Sequence, residues 1–236
     1  MDTNRRTALV TGVFFIITII AAIPGLVLYG PVLDDPDYIL GAGADTRVAL
    51  GALFEVITAI AIIGTAVTLF PILKRQNEGV ALGYVAARVL ESTVIVVGII
   101  SLLSVVTLRQ DLAGAAGADA ASLLTAGTSL VAIHDWTFLL GPGLMPGVNA
   151  LLLGYLMYRS GLVPRAMALL ALVGGPLLLA SATATLFGLY EQISAPGFIA
   201  TLPVFAWELS LGIYLIVKGF KPSPITAGNP RQVEVD

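Results

Sequence analysis

The chain contains no cysteine in 236 residues, which excludes disulfides, thiolate metal sites and cysteine nucleophiles. It has a single histidine, His134, so bis-histidine haem ligation within one chain is excluded as well. No HExxH zinc signature, GxSxG nucleophile elbow, Walker A loop or GxGxxG fingerprint occurs. No metal and no cofactor is expected. Charge is also scarce: 11% of residues are charged, against roughly 25% in soluble domains, too few to cover a water-soluble globule. No basic patch with interleaved aromatics is present, so nucleic acid is not an expected partner.

What the chain has instead is apolar length. Hydrophobic residues make up 57% and the mean hydropathy is +0.95. Six apolar segments stand out, at about 8–30, 47–73, 79–107, 128–158, 165–189 and 198–220. Each meets the about 20 residues that a bilayer-spanning helix needs. No run alternates in the short pattern of a membrane barrel. The fold class is therefore all-α, a polytopic membrane protein of six transmembrane helices, surrounded by membrane lipids. The first run follows Arg5-Arg6 and is longer than the about 7–15-residue core of a signal peptide, so it reads as a retained span. Residues 1–220 form a single transmembrane domain, and "KPSPITAGNPRQVEVD" (221–236) reads as a short disordered cytoplasmic tail. Residues 112–127 are small and weakly amphipathic, suiting an outer-surface helix or an extension of span four.

Orientation follows from the cations. Arg5, Arg6, Lys74, Arg75, Arg159, Arg165, Lys218, Lys221 and Arg231 fall on the side of the N-terminus; only Arg47 and Arg109 fall on the other, and Arg88 lies within a span. The positive-inside rule then places both termini in the cytoplasm.

Ionisable residues inside spans are expensive and mark functional sites by default. Here they are Glu55, Arg88, Glu91, His134, Asp135 and Glu208. At about 1.5 Å per residue, Arg88 and Glu208 each sit roughly 15 Å from the cytoplasmic boundary, near the midplane. Glu91 is one turn farther out, sharing a face with Arg88. Glu55, His134 and Asp135 fall toward the outer side. Two readings of Arg88 and Glu91 stand: an ion pair that locks span three against its neighbours, or a site where Arg88 holds an anionic group while Glu91 or Glu208 titrates. His134 and Asp135 point about 100° apart on a helix, and Trp136 beside them suits an interfacial belt. A structural or solvated role is the favoured reading for this pair.

Helix breaks are the other signal. Span four holds Gly141-Pro142-Gly143 and Pro146-Gly147, with Asn149 just beyond, and span five holds Gly174-Gly175-Pro176. Proline removes a backbone donor and kinks or interrupts a helix, and discontinuous helices expose backbone groups to substrates in many transporters. Close helix packing through small residues is the competing reading.

Three stretches, "LFPILKRQNEGVALGYVAARVLES", "HDWTFLLGPG" and "LLLGYLMYRSGLVPRAMALLALVGGP", resemble the bacterial membrane proteins grouped as domain-of-unknown-function 4386. The resemblance runs from span one through span six and implies a bacterial plasma-membrane protein of about six helices. It implies no assigned activity. The leading reading is a small-molecule or ion binding or transport protein, with a polar cavity lined by spans two, three, four and six. The alternatives are an intramembrane enzyme on a lipid-like substrate, with His134 as general base and Asp135 or Glu55 assisting, and a structural or regulatory protein. The sequence assigns no oligomeric state.

The lack of native cysteine makes the topology directly testable. In intact cells, a membrane-impermeant maleimide is expected to label Asp37→Cys from outside and to leave Gln76→Cys unlabelled until the cells are opened. The reverse pattern contradicts the inward orientation of the termini.

Overall fold

The computed structural model describes residues 2–41, 43–112 and 119–226, and all regular structure in them is helical. The helices are α1 (Thr3–Leu28), α2 (Gly30–Leu33), α3 (Asp45–Leu73), α4 (Glu78–Leu112), α5 (Ala120–Phe138), α6 (Met145–Ser160), α7 (Arg165–Leu186) and α8 (Ala195–Val217); a π-helical segment, Leu139–Leu144, joins α5 to α6. Six units are long and apolar enough to cross a membrane: α1, α3, α4, the continuous α5–π–α6 rod, α7 and α8.

Local chemistry sets the ends. Asp2 caps α1 by accepting from the Arg5 amide at 2.6 Å. Asp119 accepts from the Ala121 amide and starts α5, and Ser194 with Pro196 starts α8. Side-chain oxygens at these positions satisfy amides that have no partner within the helix. Gly161, at φ 67°, ends α6 in the left-handed region, and Pro164 precedes α7.

Each long helix packs against the next in sequence, and α8 packs back on α1, so the six units close into a ring. In that ring α4 and α8 sit opposite each other. At about 1.5 Å per residue, α7 and α8, with 22 and 23 residues, match the roughly 30 Å hydrocarbon core. The 35 residues of α4 and the 41 of the α5–π–α6 rod exceed it. The surplus carries a second hydrophobic core, where Tyr29, Val32 and Ile39 pack on Val48, Leu102 and Val105. A polar staple closes this end: Arg109 pairs with Asp45, and Tyr38 donates to Asp45 at 2.8 Å. Burial and that hydrogen bond push the Tyr38 hydroxyl up to about 12. The half nearer the two termini holds the larger core, with Trp207, Leu153, Leu156, Leu69 and Leu73 wholly buried.

Of the two readings of residues 112–127, the second holds for 120–127, which extend span four as the start of α5; residues 113–118 lie outside the described residues. Two expectations change. Gly174-Gly175-Pro176 does not break α7, which runs unbroken from Arg165 to Leu186. These glycines are contact points instead: a Cβ on Gly175 would fall 2.9 Å from the Gly147 carbonyl of α6, and one on Gly174 would fall 2.9 Å from Pro203 of α8. Small residues let helix backbones touch where lipid supplies no hydrophobic drive. Finally, residues 221–226, read as part of a disordered tail, are fastened to the bundle: Lys221 donates its amide to Leu162 at 2.8 Å, the Ser223 hydroxyl donates to the Ser160 carbonyl at 2.6 Å, and Arg75 donates to Ile225 at 3.1 Å. The remainder of that tail, 227–236, lies outside the described residues.

Candidate functional site

Tyr84, Arg88 and Glu91 stand at i, i+4 and i+7 on α4, on one helix face turned inward. The Arg88 guanidinium donates from Nη1 to Glu91 Oε2 at 3.1 Å, from Nη2 to Glu208 Oε1 at 2.5 Å, and from Nε to the Tyr84 hydroxyl at 3.2 Å. Its carbon lies 5.7 Å from the Phe15 ring centroid and 5.5 Å from that of Tyr84. From α6, Asn149 donates Nδ2 to the same Glu91 Oε2 at 2.7 Å. The structure thus brings Arg88, Glu91, Glu208 and Asn149 together in one network that crosses the ring. A lone charge at this depth costs several kcal/mol, so a charge here needs partners. The pairing is not balanced: two carboxylates share one guanidinium. Each nitrogen of Arg88 already has a partner and its charge is met by two carboxylates, which weighs against the reading in which Arg88 holds an anionic group. The Arg88 and Glu91 side chains are 3% and 4% exposed, that of Glu208 15%.

Glu208 is accessible because it borders a cavity of about 280 Å³ on the side of the network away from the termini. Glu55, Glu91 and Arg88 also line it, and Phe138, Pro142 and Pro146 bring span four to its wall. The surface-exposed Ile23 and Phe205 form its rim, so it opens sideways between α1 and α8. A second chamber of about 310 Å³ lies under the α7–α8 turn and shares Leu26, Phe138 and Pro142 with the first. One face of α8 serves both, with Ser194, Gly197 and Thr201 in the outer chamber and Phe205 and Glu208 in the inner one. The contribution of α1, from Thr18 to Leu26, was not foreseen in the sequence, because α1 carries no ionisable residue at this depth. Its only signal is the run of small and polar residues, Thr18, Ala21 and Ala22.

The Gly141-Pro142-Gly143 expectation also needs correction. Span four is not interrupted; Leu139–Leu144 forms a π-helical turn between α5 and α6. Pro142 has no amide to give the Phe138 carbonyl four residues back. The π-helical turn passes that role to the amide five residues on, and Gln192, on the α7–α8 turn, adds a side-chain donor, Nε2 to Phe138 O at 3.1 Å. Gly143 leaves the space for it: a Cβ there would fall 2.8 Å from Gln192 Nε2. Gly141 lets α4 approach, since its Cβ would fall 3.1 Å from Val94. Pro146 sits in the first turn of α6, where a missing amide costs little.

His134 is not solvated at an outer mouth. It is buried, 4% exposed, stacked on Phe138 at 6.1 Å and edge-on to Tyr29 at 5.7 Å. Asp135 projects outward, its side chain 67% exposed, with Oδ1 3.5 Å from His134 Nδ1. Neither lines the two chambers, so the pair stands apart from the Arg88 network, while Glu55 joins the cavity that the network borders.

A family model described as a domain of unknown function (DUF4386) matches residues 10–219. The chain belongs to the DUF4386 family. Neither curated proteins nor solved structures match it. This DUF4386 chain is a multi-pass integral membrane protein by its six membrane-crossing units. Among its described residues, no three His, Asp or Glu side chains are grouped to hold a metal ion.

The Gln192 contact is testable in the DUF4386 fold. Gln192→Met is expected to cost about 1 kcal/mol, the typical net worth of one hydrogen bond, in unfolding from detergent micelles. Gly143→Ala is expected to destabilise through the same contact, and the two together to cost less than their sum.

Proposed function

We propose that this DUF4386 protein binds a small molecule or ion in the cavity above the Arg88 network, as part of a transport cycle in the bacterial plasma membrane. Both termini lie in the cytoplasm in this reading, and the cavity faces outward. One observation carries it: a space of about 280 Å³, close to the roughly 300 Å³ lower bound of ligand pockets, ends on a buried ion network with one acid in excess. A role confined to packing would leave that space filled, because interiors are close-packed. The cytoplasmic side of the network is filled, by Leu69, Leu153 and Trp207, which suits a site open on one side at a time. Glu91 and Glu208 bind the ligand or the coupled ion, and Arg88 holds them in place. The enzyme reading has less support, since the carboxylate that reaches His134 within 4 Å among the described residues is that of the outward-facing Asp135, and His134 lines neither chamber.

Thermal unfolding in nanodiscs against a panel of amines, amino acids, sugars and metal cations tests this. A ligand at a hundred times its Kd stabilises by about 2.7 kcal/mol. At least one compound is expected to raise the Tm of the wild type, and the rise is expected to vanish in Glu91→Gln/Glu208→Gln. If the double variant responds to the panel as the wild type does, the assignment is wrong.

A further inference from the structure

The donors and acceptors facing the inner chamber are unequal, and the inequality specifies a ligand class. On the donor side little is offered. Arg88 turns each of its three nitrogens to a partner, Glu91, Glu208 or Tyr84. The two hydroxyls in the lining, Thr18 and Thr58, donate back to their own helices, to Phe14 O and Phe54 O, each at 3.0 Å. An anion entering here would meet more carboxylates than cations.

The acceptor side is rich. Glu91 uses Oε2 for both Arg88 and Asn149, leaving Oε1 without a partner, and Glu208 uses Oε1 for Arg88, leaving Oε2. Glu55 lies on the chamber wall, with no cationic side chain paired to it among the described salt bridges. Beside Glu91, the Asn149 carbonyl oxygen is buried with no partner, in a side chain only 1% exposed. The chamber thus sets three carboxylates against one guanidinium. The rest of its wall is apolar, and Phe138 and Phe205 add two aromatic rings of the kind that attract ammonium groups. An inorganic metal cation would leave that apolar and aromatic wall without a role.

We infer that the ligand of this chamber is a small organic cation, an amine or quaternary ammonium carrying an apolar body, with its charge between Glu208, Glu91 and Glu55 and its body against Ile23, Phe138 and Phe205. The inference rests on the proposed binding role and narrows it to one ligand class. The sideways opening between α1 and α8 admits such a molecule from the outer leaflet, where amphiphilic cations concentrate beside lipid headgroups.

The cysteine-free chain provides the test. Ala22 lines the chamber, and Ala22→Cys in nanodiscs presents one thiol to methyl methanethiosulfonate, a small neutral reagent. The modification rate is measured alone and with benzyltrimethylammonium, benzyl alcohol or phenylacetate, which share an aromatic body and differ in charge. The expected result is at least tenfold protection by benzyltrimethylammonium, little by benzyl alcohol and none by phenylacetate. Protection, as the ratio of rates with and without the probe in the same variant, is expected to be lost in Glu55→Gln/Glu208→Gln. Equal protection by all three probes, or protection by phenylacetate or benzyl alcohol alone, overturns the cation assignment and leaves the binding cavity standing. Cation protection that survives Glu55→Gln/Glu208→Gln also overturns it. A thiol that does not react in folded protein means that no open chamber exists, and both the cavity and its ligand class fall.

Discussion

A guanidinium held in hydrocarbon constrains the rest of this molecule. Arg88 cannot deprotonate, and at the bilayer midplane its charge must be met by the protein. Its partners come from opposite sides of the ring: Glu91 from its own helix, Glu208 from α8. Joining α4 to α8 across the interior fixes the level at which the six-helix ring is closed. Phe15, Tyr84 and Asn149 complete the surroundings from α1, α4 and α6. Charge pairing and helix arrangement are thereby one feature, because the Arg88–Glu208 pair forms only when α8 returns to α1 and completes the ring.

The network divides the interior into unlike halves. On the side of the termini, large apolar side chains fill the space, and the segment 221–226 is fastened over the α6–α7 turn. On the other side, α7 and α8 stop at about one bilayer thickness while α4 and α5 continue, and the space beside the shorter helices is left open. The π-helical turn sits at that boundary. A proline at this point would strand a carbonyl in a dry environment, which is costly; the π-helical turn pairs it again, Gln192 adds a donor from the α7–α8 turn, and Pro142 and Phe138 become the wall shared by the two chambers.

Much of the architecture was legible in the residues. Uninterrupted apolar length located all six spans, because the bilayer demands it whatever the tertiary neighbours. Helical rise placed Arg88 and Glu208 at one depth, and in the structure they touch. What depended on distant partners was not legible. Gly174-Gly175-Pro176 reads as a break until α6 and α8 are seen against it. Gly141-Pro142-Gly143 reads as a break until the π-helical turn and Gln192, on the α7–α8 turn, are seen to replace the lost donor. His134 reads as interfacial because Trp136 is beside it, but the rings that bury it are Phe138 and, from the end of α1, Tyr29. The α1 wall of the cavity carries no charge to announce it, so only packing reveals it.

The central claim is that Arg88 and Glu208 act as one unit across the bundle, and a double-mutant cycle with Arg88→Met and Glu208→Gln tests it most directly. Unfolding free energies of the four proteins in one detergent give the coupling. The account predicts an interaction of at least about 1.5 kcal/mol, within the roughly 0.5–3 kcal/mol seen for residues in one network. Single-variant costs that add to within about 0.5 kcal/mol, as independent sites do, would contradict it.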